Sequence, residues 1–230
     1  MKITFESSNI SFEVNSSSFE EFWGLVQKNH WEPDTYAVFH RCIDATTLVV
    51  DFGAWIGPTC LYSAQLGEVC LAFEPDPVAF EMLKENFVLN KGAPWARRLK
   101  IFNEAITSDG APVTLGSNGE LGDSMSSQVF SNSKTTWTVS SRTVAAVLNE
   151  YRAPNQSVFL KIDVEGAEYE LIPTIQSVLI DPLVSAQIAL HPEVLEQSLR
   201  ETHKTLPFFV RSWWVRFLFV WHHWSILTAL

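Results

Sequence analysis

The feature that most limits what this chain can become is a rhythm. Short apolar runs rich in β-branched residues alternate with helical periodicity from residue 48 to residue 191. Leu48-Val49-Val50 opens the series, and residues 69–73, 100–106, 157–162 and 184–190 continue it. Helical patterns follow from Pro58, over residues 77–90 with Phe80, Leu83 and Phe87 on the inner face, from Ala167 through Leu171, Ile175 and Val178, and from Pro192. A strand that reads as an unbroken apolar run is buried on both faces, which requires a parallel sheet with helices on either side. The expected class is α/β.

The flanks differ. Residues 2–14 alternate like two short strands joined at Ser7-Ser8-Asn9, a peripheral hairpin. Ser18 and Glu21 have the spacing of a capping box, ahead of Phe19, Phe22, Trp23 and Val26 on one helical face. A second helix is expected from Pro33 to about Cys42. Residues 107–141 hold 18 Ser, Thr or Gly among 35, a loop-rich insertion of the kind that carries substrate contacts. Residues 205–230 carry four Trp, four Phe and no acid, and Arg211 and Arg216 interrupt any span long enough to cross a membrane. The expected division is a hairpin and two helices over residues 1–46, a core over 47–204, and edge strands of the same domain over 205–230. The alternative for the last segment is contact with a membrane surface or a protein.

The balance of 16 Lys and Arg against 26 Asp and Glu gives a net charge of −10, which repels phosphate backbones, so nucleic acid is not an expected partner. Cys42, Cys60 and Cys70 form no C-x-x-C pair and give neither a zinc site nor a disulfide framework. Met1 to Glu6 alternates polar and apolar residues, unlike a signal peptide. A cytoplasmic location is expected.

Three turns carry chemistry. In Asp51-Phe52-Gly53-Ala54-Trp55-Ile56-Gly57, Gly53 permits a sharp turn after a buried strand and Gly57 a close-packed helix. In Phe73-Glu74-Pro75-Asp76, Glu74 lies 17 residues past Gly57, where a carboxylate accepts both hydroxyls of an adenosine ribose. These two signals suit a nicotinamide cofactor and S-adenosylmethionine (SAM) equally. The third, Lys161-Ile162-Asp163-Val164-Glu165-Gly166-Ala167-Glu168, sets carboxylates at a strand end. They suit a sulfonium, a metal ion or a proton to be removed, and serve hydride transfer poorly. The alternative is Asp163 as a helix N-cap with Glu165 near the helix's positive end. His191 ends the fifth strand on the same sheet edge, and Ser124 in the long loop offers a hydroxyl.

With "VVDFGAWIG", "AFEPDP", "ENFVLN", "NEAI" and above all "LKIDVEGAEYELI", the chain resembles the FkbM-type methyltransferases over some 160 residues, from about Trp31 to His191. The resemblance implies a Rossmann-like class I methyltransferase fold, a mostly parallel seven-stranded sheet with helices on both faces. It also implies SAM-dependent O-methylation of a carbohydrate hydroxyl. Asp51, Gly53, Ala54 and Gly57 would line the methionine part of SAM, and Glu74 would hold the ribose. Asp76, Glu104 and Ala105 would lie near the adenine, with Trp55 and Pro75 in the same turns, and Asp163 and Glu165 would face the methyl group. Asn86 and Asn90 match the family's paired asparagines, Asn90 chiefly as a helix stop. Trp55 stands where the family usually has Asn, and Ala189 where it often has an acid. Asp163, Glu165 and His191 could ligate Mg²⁺ or Mn²⁺. Ala189 favours a metal-free base instead, Asp163 or His191, with Glu165 orienting the acceptor. Residues 107–141, Trp31-Glu32 and Tyr36 are expected to set the choice of sugar. The rival readings are a nicotinamide-dependent oxidoreductase and a non-catalytic binding module.

Overall fold

The computed structural model describes residues 1–117, 122 and 135–192. Strands β1 (Lys2–Phe5) and β2 (Ile10–Glu13) pair antiparallel, Lys2 opposite Glu13 and Phe5 opposite Ile10. Their alternation puts Ile3, Phe5, Ile10 and Phe12 on one buried face, so the hairpin is a wall of the core rather than a peripheral flap.

Helix α1 (Glu20–Gln27) buries Trp23 and Val26, and α2 (Pro33–Cys42) occupies the expected residues. The Ser18–Glu21 capping box does not form. An Asn15 turn, accepting from the Ser17 N–H and hydroxyl, holds the chain so that the helix starts one residue late. Phe19 is then its cap, with no side-chain hydrogen bond.

The core follows as β3 (Leu48–Phe52), α3 (Cys60–Ser63), β4 (Val69–Phe73), α4 (Pro77–Leu89), β5 (Leu99–Phe102), β6 (Ala105–Ile106), β7 (Val113–Ser117), β8 (Thr135–Val139), β9 (Ser141–Arg142), α5 (Val144–Tyr151), β10 (Val158–Ile162), α6 (Glu168–Leu171), α7 (Gln176–Leu179) and β11 (Val184–Ile188). Among the described residues the main sheet has five strands, all parallel, in the order β11-β10-β3-β4-β5.

Side chains alternate between the two faces of this sheet. Val49, Cys70, Ala72 and Phe159 pack beneath the hairpin, α1, α2 and α3. Leu48, Val50, Leu71 and Leu160 pack beneath α5 and the Leu171–Ile175 turn. Both faces are therefore covered. Cys60 and Cys70 are buried in this core and all three cysteines are free.

Three elements depart from the periodicity. The strand expected over 100–106 divides: β5 stays in the sheet, while β6 pairs with β9. The break is fixed at Asn103, whose side-chain amide donates to the Glu74 carbonyl at 2.9 Å. The helix expected from Ala167 to Val178 splits into α6, a 3-10 turn over Ile172–Thr174 and α7, because Pro173 removes a backbone donor.

On α4 the buried stripe is Ala79, Leu83 and Asn86, with Asn90 below it, while Phe80 and Phe87 are half-buried. Asn86 accepts from the Asn15 N–H at 2.7 Å and donates to the Ile56 carbonyl at 2.8 Å. Asn90 exchanges hydrogen bonds with the Glu13 backbone at 2.8 and 2.7 Å. The paired asparagines clamp hairpin to helix. Among the described residues no helix is long and apolar enough to cross a membrane. The expected helix after Pro192, the aromatic segment 205–230 and Ser124 lie outside the described residues.

Candidate active site

The carboxyl ends of β3, β4, β10 and β11 open onto one cavity of about 270 Å³. At β3, Gly53 turns the chain with φ +83°, and a Cβ there would lie 1.8 Å from the Asp163 carbonyl oxygen. Only glycine lets the β3 turn pass that close to the end of β10. The N–H groups of Gly53 and Ala54 both donate to the Phe73 carbonyl at 3.0 Å, fastening this turn to β4. The Trp55 N–H donates to Glu74 Oε2 at 2.7 Å, its indole N–H donates to the Gly122 carbonyl at 3.0 Å, and its ring meets Phe22 edge-on at 4.6 Å. Packing thus occupies the position where the family usually has Asn.

Glu74, at the end of β4, lines the cavity with Pro75, and Glu104 and Ala105 face it from beyond β5. Burial pushes the Glu74 carboxyl up to about 8, against the N–H groups of Asp76 and Trp55 that donate to its two oxygens.

The end of β10 holds the acidic group. His191 Nε2 lies 3.4 Å from Asp163 Oδ1 and 3.6 Å from Glu165 Oε1, while His191 Nδ1 meets Glu168 Oε1 at 2.9 Å. The Glu168 hydrogen bond pushes the imidazole up to about 9, despite partial burial. Glu168 is fully buried and also accepts from the N–H groups of Val164 and Gly166, at 2.9 and 2.8 Å. It organises the loop that Asp163 would have capped; Ala167 is the N-cap of α6, and Asp163 points into the cavity instead.

Beneath them Lys161 Nζ lies 3.1 Å from Asp163 Oδ2 and 3.6 Å from Asp51 Oδ1. Burial works against its charge, but the two carboxylates outweigh it and hold the ammonium above its ordinary range. Lys161 and Glu168 were not singled out from the sequence. A lysine inside an otherwise apolar strand was the signal for the first, since a buried lysine needs an acidic partner.

Three expected residues serve the frame behind the cavity. Asp51 accepts from the Thr59 hydroxyl at 2.5 Å and faces Lys161. Gly57 gives clearance to Leu83, whose Cδ1 would lie 2.8 Å from a Cβ there. Asp76 caps α4 through the N–H groups of Val78 and Ala79 and accepts from Gly122 at 3.0 Å. Trp31 and Glu32 line the cavity, whereas Tyr36 is buried away from it with its hydroxyl 3.5 Å from the Pro58 carbonyl.

The residues fit both SAM, which the resemblance implies, and a divalent cation. A carboxylate facing the cavity at Glu74 and a turn bare of side chain at Gly53 suit an adenosine cofactor. One ligand atom from each of Asp163, Glu165 and His191 lies within 4.8 Å of the others, and Glu168 fixes the second ring nitrogen. Two carboxylates with one imidazole suit Mg²⁺ or Mn²⁺.

Residues 51–213 match the family model described as "Methyltransferase FkbM domain". The fold is similar to a methyltransferase FkbM from Methylobacillus flagellatus KT, with a TM-score of 0.42 and 13% identity, over 76% of this chain and 45% of that one. It is also similar to wild-type Trm5b from Pyrococcus abyssi, with a TM-score of 0.27 and 20% identity, over 38% and 34%. The chain thus spans less than half the length of the first. No curated protein matches it.

Proposed function

Because this chain belongs to the FkbM methyltransferase family, we propose that it transfers a methyl group from SAM to a hydroxyl of a carbohydrate or similar polyol. The observation that carries this reading is the meeting of Asp163, Glu165 and His191 on the same cavity as the Glu74 carboxylate. The five parallel strands support the seven-stranded, Rossmann-like sheet that belongs to the same proposal.

When bound, SAM supplies an electrophilic methyl group on a cationic sulfur. Glu74 accepts from the ribose hydroxyls, and the turn at Gly53 and Ala54 leaves room for the methionine part. The carboxylates of Asp163 and Glu165 complement the sulfonium charge.

An aliphatic hydroxyl is a weak nucleophile at neutral pH, so its proton must leave during transfer. His191, held near 9 by Glu168, is itself protonated at neutral pH and is poorly placed to take that proton. The base is therefore Asp163, whose second oxygen is fixed by Lys161, and Glu165 orients the acceptor. If a divalent cation is used, Asp163, Glu165 and His191 hold it, and it would acidify the bound hydroxyl.

Calorimetry with SAM and NAD tests the cofactor: binding of NAD without SAM would sink the proposal. Asp163→Asn should lower turnover by ~10²–10⁴-fold with SAM affinity nearly unchanged. Full activity in EDTA supports a metal-free base. Loss in EDTA with recovery in Mg²⁺ or Mn²⁺ assigns the same three side chains as ligands.

A further inference from the structure

Among the described residues, three that are neither glycine nor asparagine adopt left-handed backbone: Glu32 (φ +44°), Trp55 (φ +47°) and Glu165 (φ +49°). All three line the cavity. Such conformations are costly for bulky side chains and gather at functional sites, where surrounding structure holds them. Trp55 and Glu165 belong to turns that the methyltransferase reading already uses. Glu32 lies in neither turn; it belongs to the segment expected to face the acceptor and precedes residue 51, where the match to the family model begins.

Its neighbour Trp31 lines the same cavity. Phe22 meets Trp31 edge-on at 5.2 Å and Trp55 at 4.6 Å, so one phenyl ring fixes both indoles. Tyr36 meets Trp31 from another side at 6.2 Å. The Glu32 carboxylate accepts from the Thr35 hydroxyl at 3.0 Å, and that hydroxyl accepts from Gln187 Nε2 at 2.7 Å. Gln187 lies on β11, the strand that leads to His191. A short hydrogen-bonded chain therefore ties Glu32 to the strand that leads to His191.

The cavity's charge narrows what fits. Among the described residues Glu32, Glu104, Asp163 and Glu165 face it against Lys161 and His191, while burial disfavours the charge of Glu74. An anionic acceptor would meet an excess of carboxylate; a neutral one would not.

We propose that Trp31 and Glu32 form the acceptor subsite and that it takes an uncharged pyranose ring. The indole covers the C–H face of the sugar, and the carboxylate accepts from its hydroxyls. The methyl-transfer role of the subsite rests on the function proposed above; sugar binding can be measured without turnover.

The test is saturation-transfer NMR on the full chain, with and without S-adenosylhomocysteine. The probes are the methyl α-glycosides of glucose, galactose, mannose, rhamnose and fucose, together with methyl α-glucuronide. At least one neutral glycoside should bind, and the glucuronide about ten-fold more weakly. Trp31→Ala should weaken the neutral sugar at least about ten-fold, and Trp31→Phe should restore most of the signal, which separates a lost stacking face from a misfolded chain. Glu32→Gln should narrow the gap between neutral and acidic sugars. The subsite is overturned if no neutral glycoside binds, if Trp31→Ala leaves binding unchanged, or if the glucuronide binds as tightly. Failure of SAM to bind would sink the methyltransferase reading alone, because Trp31-dependent sugar signals would still uphold the subsite.

Discussion

Glu74 places a carboxyl in surroundings that disfavour its charge, and at about 8 its pKa stands well above the ordinary 4.5. Between those values the folded chain keeps a proton that the unfolded chain releases. The stability contributed by Glu74 is therefore complete below pH 4.5 and is lost as pH rises through about 8. Cofactor binding runs the other way, because a ribose diol donates best to the ionised form. SAM affinity should rise by up to about ten-fold per pH unit between about pH 6 and 8, then level off. Glu74→Gln should weaken binding by about 1.5–3 kcal/mol and flatten this rise, leaving only what His191 contributes. Calorimetry in two buffers of different ionisation heat would report the released proton directly; an unchanged affinity in Glu74→Gln would show that the ribose lies elsewhere. Glu74, Asp163, Glu165 and His191 were legible at one edge because each follows a strand of the sheet, and the carboxyl ends of parallel strands share that edge. Lys161 and Glu168 act through neighbours that only the tertiary structure supplies. The positions of Asp51 and Gly57 were legible too, but not that their immediate partners are Thr59 and Leu83.

Among elements, the sheet strands were the most readable, since β4 is apolar throughout and β3 and β10 are interrupted only by Asp51 and Lys161, and their burial leaves little choice of conformation. Helix α4 was readable in extent but not in facing, because Asn86 and Asn90 sit on its inner stripe for their hydrogen bonds, which apolar periodicity does not register. The β3 turn offers a sharp test of how elements meet. Gly53→Ala would drive a methyl group into the Asp163 carbonyl while holding alanine at positive φ. It should cost about 2–4 kcal/mol and reduce cofactor affinity as the end of β10 is pushed away. Gly24, inside α1 with nothing within 4 Å of a Cβ, is the matched control: Gly24→Ala should stabilise by about 0.5–1 kcal/mol. Urea melts of the two variants that moved in the same direction would contradict this account of the turn.

At the scale of the whole molecule, residues 1–46 precede the family match at 51–213 yet are not an accessory. Ile3, Phe12, Trp23 and Phe39 are almost wholly buried, in one cluster with Val49, Cys70 and Phe159 from the central sheet. Phe39 meets Phe159 edge-on at 5.5 Å, and the Asn86 and Asn90 side chains bond the backbone of the hairpin and the residues after it. Removing residues 1–46 would strip the hairpin, α1 and α2 from one sheet face, leaving α3 there, and would take from both asparagines their partners in the hairpin and the residues after it. Full burial of each large apolar side chain is worth roughly 1.5–3 kcal/mol, so a handful exhausts the 5–15 kcal/mol by which domains are stable. A chain beginning at Thr47 should therefore keep helical far-UV ellipticity but lose its near-UV signal, bind a hydrophobic dye and melt without cooperativity. Trp23→Ala, a milder cut in the same face, should cost about 3–5 kcal/mol in chemical denaturation while the fold survives. A shortened chain with a sharp thermal transition and full SAM affinity would show that the matched region folds alone. The hairpin and first helices would then serve only the acceptor side of the cavity.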